Sequence, residues 1–347
     1  MKVKLGKVLV VGGAGFVGSN LVERLLSEEV DQIFIVDNLL SSNVSNVPKS
    51  DKVKFIYGSV SSDTILNKLP DDISFVFHLS CFHGNQSSIH DPIADHENNT
   101  FTTLKLLQHL THQKALKKVV YAAAGCAVAE KTFDRAEATH EDAPVSLYHD
   151  SPYSISKLIG EMYCNYYWKQ FNLPTVKARF QNVYGPREIL GAGDWRGTMH
   201  SVWRNVIPTF IWKAINGESL PLDNGGKASR DFIFVRDMAN GLLACALKGE
   251  PGQNYNLASG VETSILNLAK TINSIAGNEA PLDIKPARAW DRSGCRFGST
   301  EKSEKHLKFK AQVQLEEGLK ETIGWTLKNR EIIESSVNRH AYFLQNN

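Results

Sequence analysis

Tyr153 and Lys157 stand four residues apart in "SPYSISKLIGE". If that stretch is helical, four residues make about one turn and the two side chains share a face. A phenol beside an ammonium is biased toward phenolate, and a phenolate near working pH can take the proton of an alcohol. Chance alone yields about one such pair in a chain of this composition, so the pair needs its surroundings to mean anything. Cys126 in "AAAGCAVAE" is a second candidate, a thiol two residues beyond a run of alanines. It can serve as an acid or base where its neighbours adjust its pKa, or simply pack as a small apolar group. No cluster of His, Cys, Asp and Glu has metal-ligand spacing.

A binding site is written near the N-terminus. "VLVVGGAGFVGSNLVERLL" sets Gly12, Gly15 and Gly18 between an apolar run and an amphipathic pattern. Gly12 permits a tight turn, Gly15 a close backbone approach to a pyrophosphate, and Gly18 close packing of helix on strand. The helix start at Phe16 and Val17 adds N–H donors and a positive dipole end. Asp37 ends the next apolar run roughly 20 residues on, where a carboxylate accepts hydrogen bonds from an adenosine ribose. It repels a 2′-phosphate, and "DNLLSSN", which includes Asn38, holds no arginine. The reading is NAD rather than NADP. A pyridinium cation close to Tyr153 adds a second charge favouring phenolate, so hydride and proton can leave an alcohol together.

The elements that position these groups follow from periodicity. Apolar runs at 8–11, 33–36, 75–79 and 119–124 suit strands buried on both faces of a parallel sheet. "SNLVERLLSE" and "NNTFTTLKLLQHLTHQ" between them are amphipathic helices. Ser151 and Pro152 are the N-cap and first residue of the helix carrying Tyr153. "TVKARFQNVYGP" is one further strand, and Asp237 caps a helix in "RDFIFVRDMANGLLACAL". Residues 187–226 are loops lining a pocket. The fold class is α/β, a Rossmann-type doubly wound parallel sheet with a smaller C-terminal α/β substrate domain.

Length and charge narrow the field. The chain has 347 residues, 42% hydrophobic and 22% charged, with a net charge of +2. That balance asks for neither nucleic acid nor an anionic membrane. Five scattered cysteines read as reduced thiols, and neither a signal peptide nor a membrane span is evident, which points to the cytoplasm.

Together, "GGAGFVGSNL", "VDNLL", "VFHLSCFHGNQSSIHDP", "HENNTFTTLKLL", "SPYSISKLIGE", "ARFQNVYGP", "NVIPTFI" and "SRDFIFVRDMANG" resemble the extended short-chain dehydrogenase/reductases of the nucleotide-sugar epimerase/dehydratase group. The nearest likeness is to sugar-nucleotide epimerases of bacterial O-antigen gene clusters. The resemblance covers nearly the whole chain. It implies a 1–183 NAD-binding domain to which 228–255 returns, and a nucleotide-sugar domain of 184–227 and 256–347. It implies Ser59 and Val60 beside adenine, Leu79 and Ser80 along pyrophosphate and ribose, and Asn99 supporting the sheet next to the cofactor. On the substrate side it implies Ser88, Asn182, Asn205, Arg230, Arg288 and Asp291, with His83 and the segment around Trp195, Arg196 and Trp203 as further sugar-facing candidates.

The resemblance also puts Ala124 where the family has a Ser or Thr hydroxyl beside the tyrosine. The implied reaction is C4 epimerisation of a nucleoside-diphosphate sugar, UDP favoured, through a 4-keto sugar, serving surface polysaccharide synthesis. The implied assembly is a homodimer through the helices near Asn99 and Ser151. The alternatives are a C3/C5 epimerase or reductase using Cys126, and a catalytically impaired NAD-binding protein.

Overall fold

The computed structural model describes residues 2–128, 132–194, 202–203, 205–288 and 294–345. Seven strands form the central sheet: β1 (Lys4–Val11), β2 (Glu29–Asp37), β3 (Val53–Tyr57), β4 (Ile73–His78), β5 (Lys118–Ala124), β6 (Thr175–Phe180) and β7 (Asn254–Leu257). Every pairing in it is parallel, in the order β7-β6-β5-β4-β1-β2-β3. Val10 of β1 pairs Ile35 on one side and Phe77 on the other. The strand order reverses at β1, and ligands of such sheets bind beyond the carboxyl ends of the strands at that reversal.

Successive side chains of the strands serve opposite faces. Val8, Val10, Ile33, Ile35 and Phe77 pack with Leu21 and Leu25 of α1 (Phe16–Leu26). Leu9, Val11, Val36, Val76 and Tyr121 pack on the other face, against Leu106 and Leu110 of α2 (Thr102–Leu110) and Cys164 of α3 (Pro152–Phe171). α3 starts as its sequence dictates, with Ser151 Oγ accepting from Ser154 N and Pro152 in the first turn. Its last carbonyls are closed by Asn172 in the left-handed region, φ 53°.

One close approach seats α3. A Cβ on Gly160 would lie 2.0 Å from Tyr121 Oη and 2.4 Å from its Cζ. The phenol of β5 thus occupies the space a side chain would fill, and Tyr121 Oη donates to the Lys157 carbonyl at 3.4 Å.

A second core gathers Phe210 and Ile211 of α4 (Val206–Ile215) with Phe232, Leu268 and Leu319. Its sheet joins Asn182–Tyr184, Ser229–Phe234 and Glu262–Ser264.

Several expectations change in detail. "TVKARFQNVY" is two strands, because the chain leaves the central sheet at Gln181 and pairs Asn182 with Phe232 in the smaller one. The segment 228–255 likewise divides. Ser229–Phe234 belongs to the smaller sheet, whereas α5 (Val235–Lys248) buries Met238, Leu242 and Cys245 in the first core. Asp237 does not cap α5, which begins at Val235; its Oδ2 instead accepts from Gln312 N and Val313 N at 2.9 and 2.8 Å. Residues 187–226 hold α4 and the strand Pro221–Asp223 as well as loops. β3 and β7 were not foreseen. β3 is a sheet edge with two of its five positions exposed and none fully buried, and β7 is interrupted by asparagines.

Gly160→Ala tests the seating of α3. Overpacking of this kind costs about 1–3 kcal/mol, so the urea midpoint should fall with an unchanged slope. A midpoint equal to the wild-type value would mean that α3 does not lie against Tyr121 as described.

Candidate active site

A cleft of about 740 Å³ runs along the carboxyl ends of β1, β2, β4 and β5 and under α4. Gly12 leaves β1 at φ 83°, and a Cβ there would sit 2.6 Å from Ser80 N. Gly18 packs closer still, its notional Cβ 2.1 Å from the Gly12 carbonyl. Loop and helix are thereby pressed against the end of β4, leaving backbone at the cleft floor. Gly15, Phe16 and Val17 line it at the N-terminus of α1, a setting suited to a diphosphate.

Asp37 closes the far end. Its Oδ1 accepts from Leu39 N and Ser42 Oγ at 2.8 and 2.9 Å, and its Oδ2 from Ala14 N at 3.0 Å. Burial pushes its carboxyl above the usual range, while those donors pull the other way. The side chain is held against the glycine loop with its remaining lone pairs beside the cleft. Asn38, Ser59, Val60, Leu79 and Ser80 complete this half of the lining. A cradle of backbone, one fixed carboxylate and, among the described residues, no lining arginine or lysine at this end fits a dinucleotide whose ribose is unphosphorylated.

Tyr153 and Lys157 meet the same cleft from α3. Lys157 Nζ donates to the Ala122 carbonyl at 3.1 Å and lies 5.3 Å from the Tyr121 ring centre and 5.9 Å from that of Tyr153. The small side chains of Ala122, Ala123 and Ala124 form the floor here, and Ala124, Ala127 and Cys126 pack around Tyr153. His83 meets the Tyr153 ring edge to face, centres 5.6 Å apart.

The protein's own groups act on the phenol in the opposite sense to the charges expected to favour phenolate. Burial holds Tyr153 well above its ordinary value of 10, and Cys81, Cys126, Tyr121 and Asp95 act in the same direction.

Buried polar groups brace this end. Asn99 Oδ1 accepts from Phe82 N at 2.7 Å, and its Nδ2 donates to Asp95 Oδ1 and Ser156 Oγ at 2.8 and 3.1 Å. Asn99 lies outside the lining and ties the segment after β4 to α3. Ser88 is also outside it: its Oγ accepts from Tyr153 N at 3.1 Å and donates to the Asn85 carbonyl at 2.7 Å, serving the tyrosine's helix rather than facing a sugar. His78 completes the brace. Thr103 Oγ1 donates to the Asn99 carbonyl at 2.6 Å, so it accepts from His78 Nε2–H at 2.9 Å, leaving His78 Nδ1 to accept from Ser80 Oγ.

The other half of the cleft carries Asn182, Asn205, Arg230 and Arg288. Asn205 donates to Glu188, Arg288 pairs with Asp223 Oδ2 at 2.5 Å, and Arg230 Nη1 donates to the Ser229 and Gly294 carbonyls, both at 2.6 Å. Trp203 lines this half beneath Lys213 Nζ. Asp291, Trp195 and Arg196 lie outside the described residues. Cys81 and Gln181 also line the cleft and were not singled out. Each lies just past the end of a central strand, and that position was the available signal.

Fold and cleft define an α/β enzyme scaffold with a dinucleotide loop and a tyrosine–lysine pair at one opening. Residues 8–258 match the NAD dependent epimerase/dehydratase family. Bordetella bronchiseptica WbmF, solved with NAD+ and UDP, is 56% identical over 99% of this chain and 98% of that one, with a TM-score of 0.88. The UDP-N-acetylglucosamine 4-epimerase of Methanobrevibacter ruminantium M1, solved with UDP-N-acetylmuramic acid, is 26% identical over 95% of this chain and all of that one, TM-score 0.82. The UDP-glucose 4-epimerase of Mycolicibacterium smegmatis is 29% identical over 91% of this chain and 97% of its own. The chain belongs to the NAD dependent epimerase/dehydratase family, and NAD is its cofactor.

His78 gives this brace a pH signature. Burial first, and Lys157 second, lower its pKa from 6.5 to about 3. Between those values the unfolded chain binds a proton that the folded chain refuses. Stability is full above about 6.5 and declines as pH falls toward about 3. His78→Gln should flatten the acid slope of unfolding free energy by up to about 1.4 kcal/mol per pH unit. Identical slopes in variant and wild type would place the titration elsewhere.

Proposed function

We propose that the protein is a nucleotide-sugar epimerase that inverts C4 of a UDP-sugar through a 4-keto sugar, for a surface polysaccharide precursor. The observation that carries this reading is that Tyr153 and Lys157 line the same cleft as the glycine loop and Asp37. Likeness to WbmF solved with UDP, and to a UDP-N-acetylglucosamine 4-epimerase, supports the choice of nucleotide and carbon.

Gly12, Gly15, the start of α1 and Asp37 hold NAD, which when bound supplies a hydride acceptor and donor and a pyridinium charge. Tyr153 takes the proton of the sugar 4-hydroxyl at its phenolic oxygen, keeps it while C4 is a ketone, and returns it to the inverted alcohol. Lys157, anchored on the Ala122 carbonyl, sets positive charge beside that oxygen and orients the ring. Arg230, Arg288 and Asn182 face the diphosphate end, where a guanidinium's fork of donors suits phosphate.

The chain up to Phe180 with α5 and β7 forms the cofactor body, and the smaller sheet with α4 forms the substrate body. The enzyme works in the cytoplasm as a homodimer. Exposed Ile93 and Phe101, and Ile155, Met162 and Tyr166 on α3, supply an apolar face for the second copy.

Tyr153→Phe should lower turnover of UDP-glucose or UDP-N-acetylglucosamine by about a thousandfold while leaving NAD binding intact. In deuterium oxide, C4 inversion should return substrate and product with no deuterium on carbon. Undiminished turnover by the variant would refute the tyrosine's role, and one carbon-bound deuterium would move the reaction to C3 or C5 with Cys126 as its acid or base.

A further inference from the structure

Gln181 stands where the chain leaves the central sheet, between β6 and the strand Asn182–Tyr184. Its backbone N–H donates to the Leu257 carbonyl at 3.4 Å. The register of β5 on β6, with Ala124 opposite Phe180, sets it beside Gly125. The side chain is half-buried and lines the cleft. Among the described residues no group hydrogen-bonds its amide, and neither of its polar atoms is sealed from solvent. Asn205, Arg230 and Arg288, by contrast, already hold protein partners.

Two glycines make the room in which that amide lies. A Cβ on Gly125 would meet Gln181 Nε2 at 2.4 Å, Cδ at 2.9 Å and Oε1 at 3.0 Å. A Cβ on Gly298, in the short strand Phe297–Gly298, would meet Nε2 at 2.9 Å and Cδ at 3.4 Å. Backbone from two distant segments thus holds the head of a long side chain that is otherwise free to sample several rotamers. Holding it beforehand removes ordering that a ligand would have to supply on binding.

The place is the reacting end of the cleft. Gly125 lies between Ala124 and Cys126, and both of these pack with Tyr153. The floor at Ala122, Ala123 and Ala124 brings no side-chain hydrogen-bonding group, and the thiols of Cys81 and Cys126 are weak donors. A sugar over that floor presents hydroxyls that lose water on entry and need partners there. An amide carries two N–H donors and a carbonyl acceptor, so it can serve a hydroxyl in either sense.

We propose that Gln181 binds substrate, its side-chain amide hydrogen-bonding a hydroxyl of the sugar at the reacting end of the cleft. This rests on the nucleotide-sugar reading of the same site and adds a residue that tells a sugar nucleotide from the bare nucleotide.

The test is calorimetry on the NAD-loaded protein with UDP, UDP-glucose and UDP-N-acetylglucosamine, alongside thermal melts, for wild type and Gln181→Met. Methionine keeps the length of the side chain and removes the amide. The variant should melt with wild type, since no hydrogen bond within the protein is lost, and bind UDP as wild type does. It should hold each UDP-sugar that wild type binds about tenfold more weakly, about 1.4 kcal/mol. If it holds those UDP-sugars as tightly as wild type, the assignment fails and the nucleotide-sugar reading stands. Equal weakening for UDP would put the amide at the nucleotide and also overturn the assignment, as would a melt well below wild type, which would show the amide engaged by the protein itself. Should the wild type bind neither UDP-sugar, the reading itself is overturned and the assignment goes with it.

Discussion

The interaction on which the site depends is the close seating of α3 on β5. Gly160 has no side chain where the Tyr121 phenol lies, so the helix sits directly on the strand. From that seat Lys157, one turn earlier, reaches the Ala122 carbonyl, and Tyr153, one turn earlier again, reaches the cleft. The alanines at the end of β5 belong to the same arrangement. Any larger residue there would fill the floor on which Tyr153, Cys126 and a bound ligand must share space.

Around that seat the protein spends buried polar groups freely. His78, Thr103, Asn99, Asp95 and Ser156 join β4, the segment following it and α3 through hydrogen bonds that are almost wholly shielded from water. Such a network specifies one arrangement because a shift in any member strands the others. It fixes the loop carrying Cys81, Phe82 and His83 against the tyrosine. The same burial makes Tyr153 reluctant to ionise.

Much of this was legible before the fold. The glycine loop could be read because each glycine answers a local demand of the turn, the helix packing or the backbone approach. Ser151 and Pro152 marked the start of α3 by side-chain chemistry that operates within four residues. What was not legible depends on distant neighbours. Asp237 looks like a cap in sequence, yet it is claimed by two backbone amides some 75 residues away. Ser88 carries a residue type suited to a ligand, and only the packing of α3 reveals that its hydroxyl accepts from the Tyr153 amide. The pKa of Tyr153 could not be inferred from a lysine four residues on, since burial outweighs it and burial is a property of the whole cleft.

The central claim is that the seat of α3 delivers Tyr153 to the reacting atom of a bound sugar. It is tested most directly by a crystal structure with NAD and UDP-glucose bound. The account predicts Tyr153 Oη within about 3 Å of the sugar 4-oxygen, with Lys157 still donating to the Ala122 carbonyl. A sugar lying in the cleft with its 4-oxygen beyond the reach of Tyr153 would contradict it.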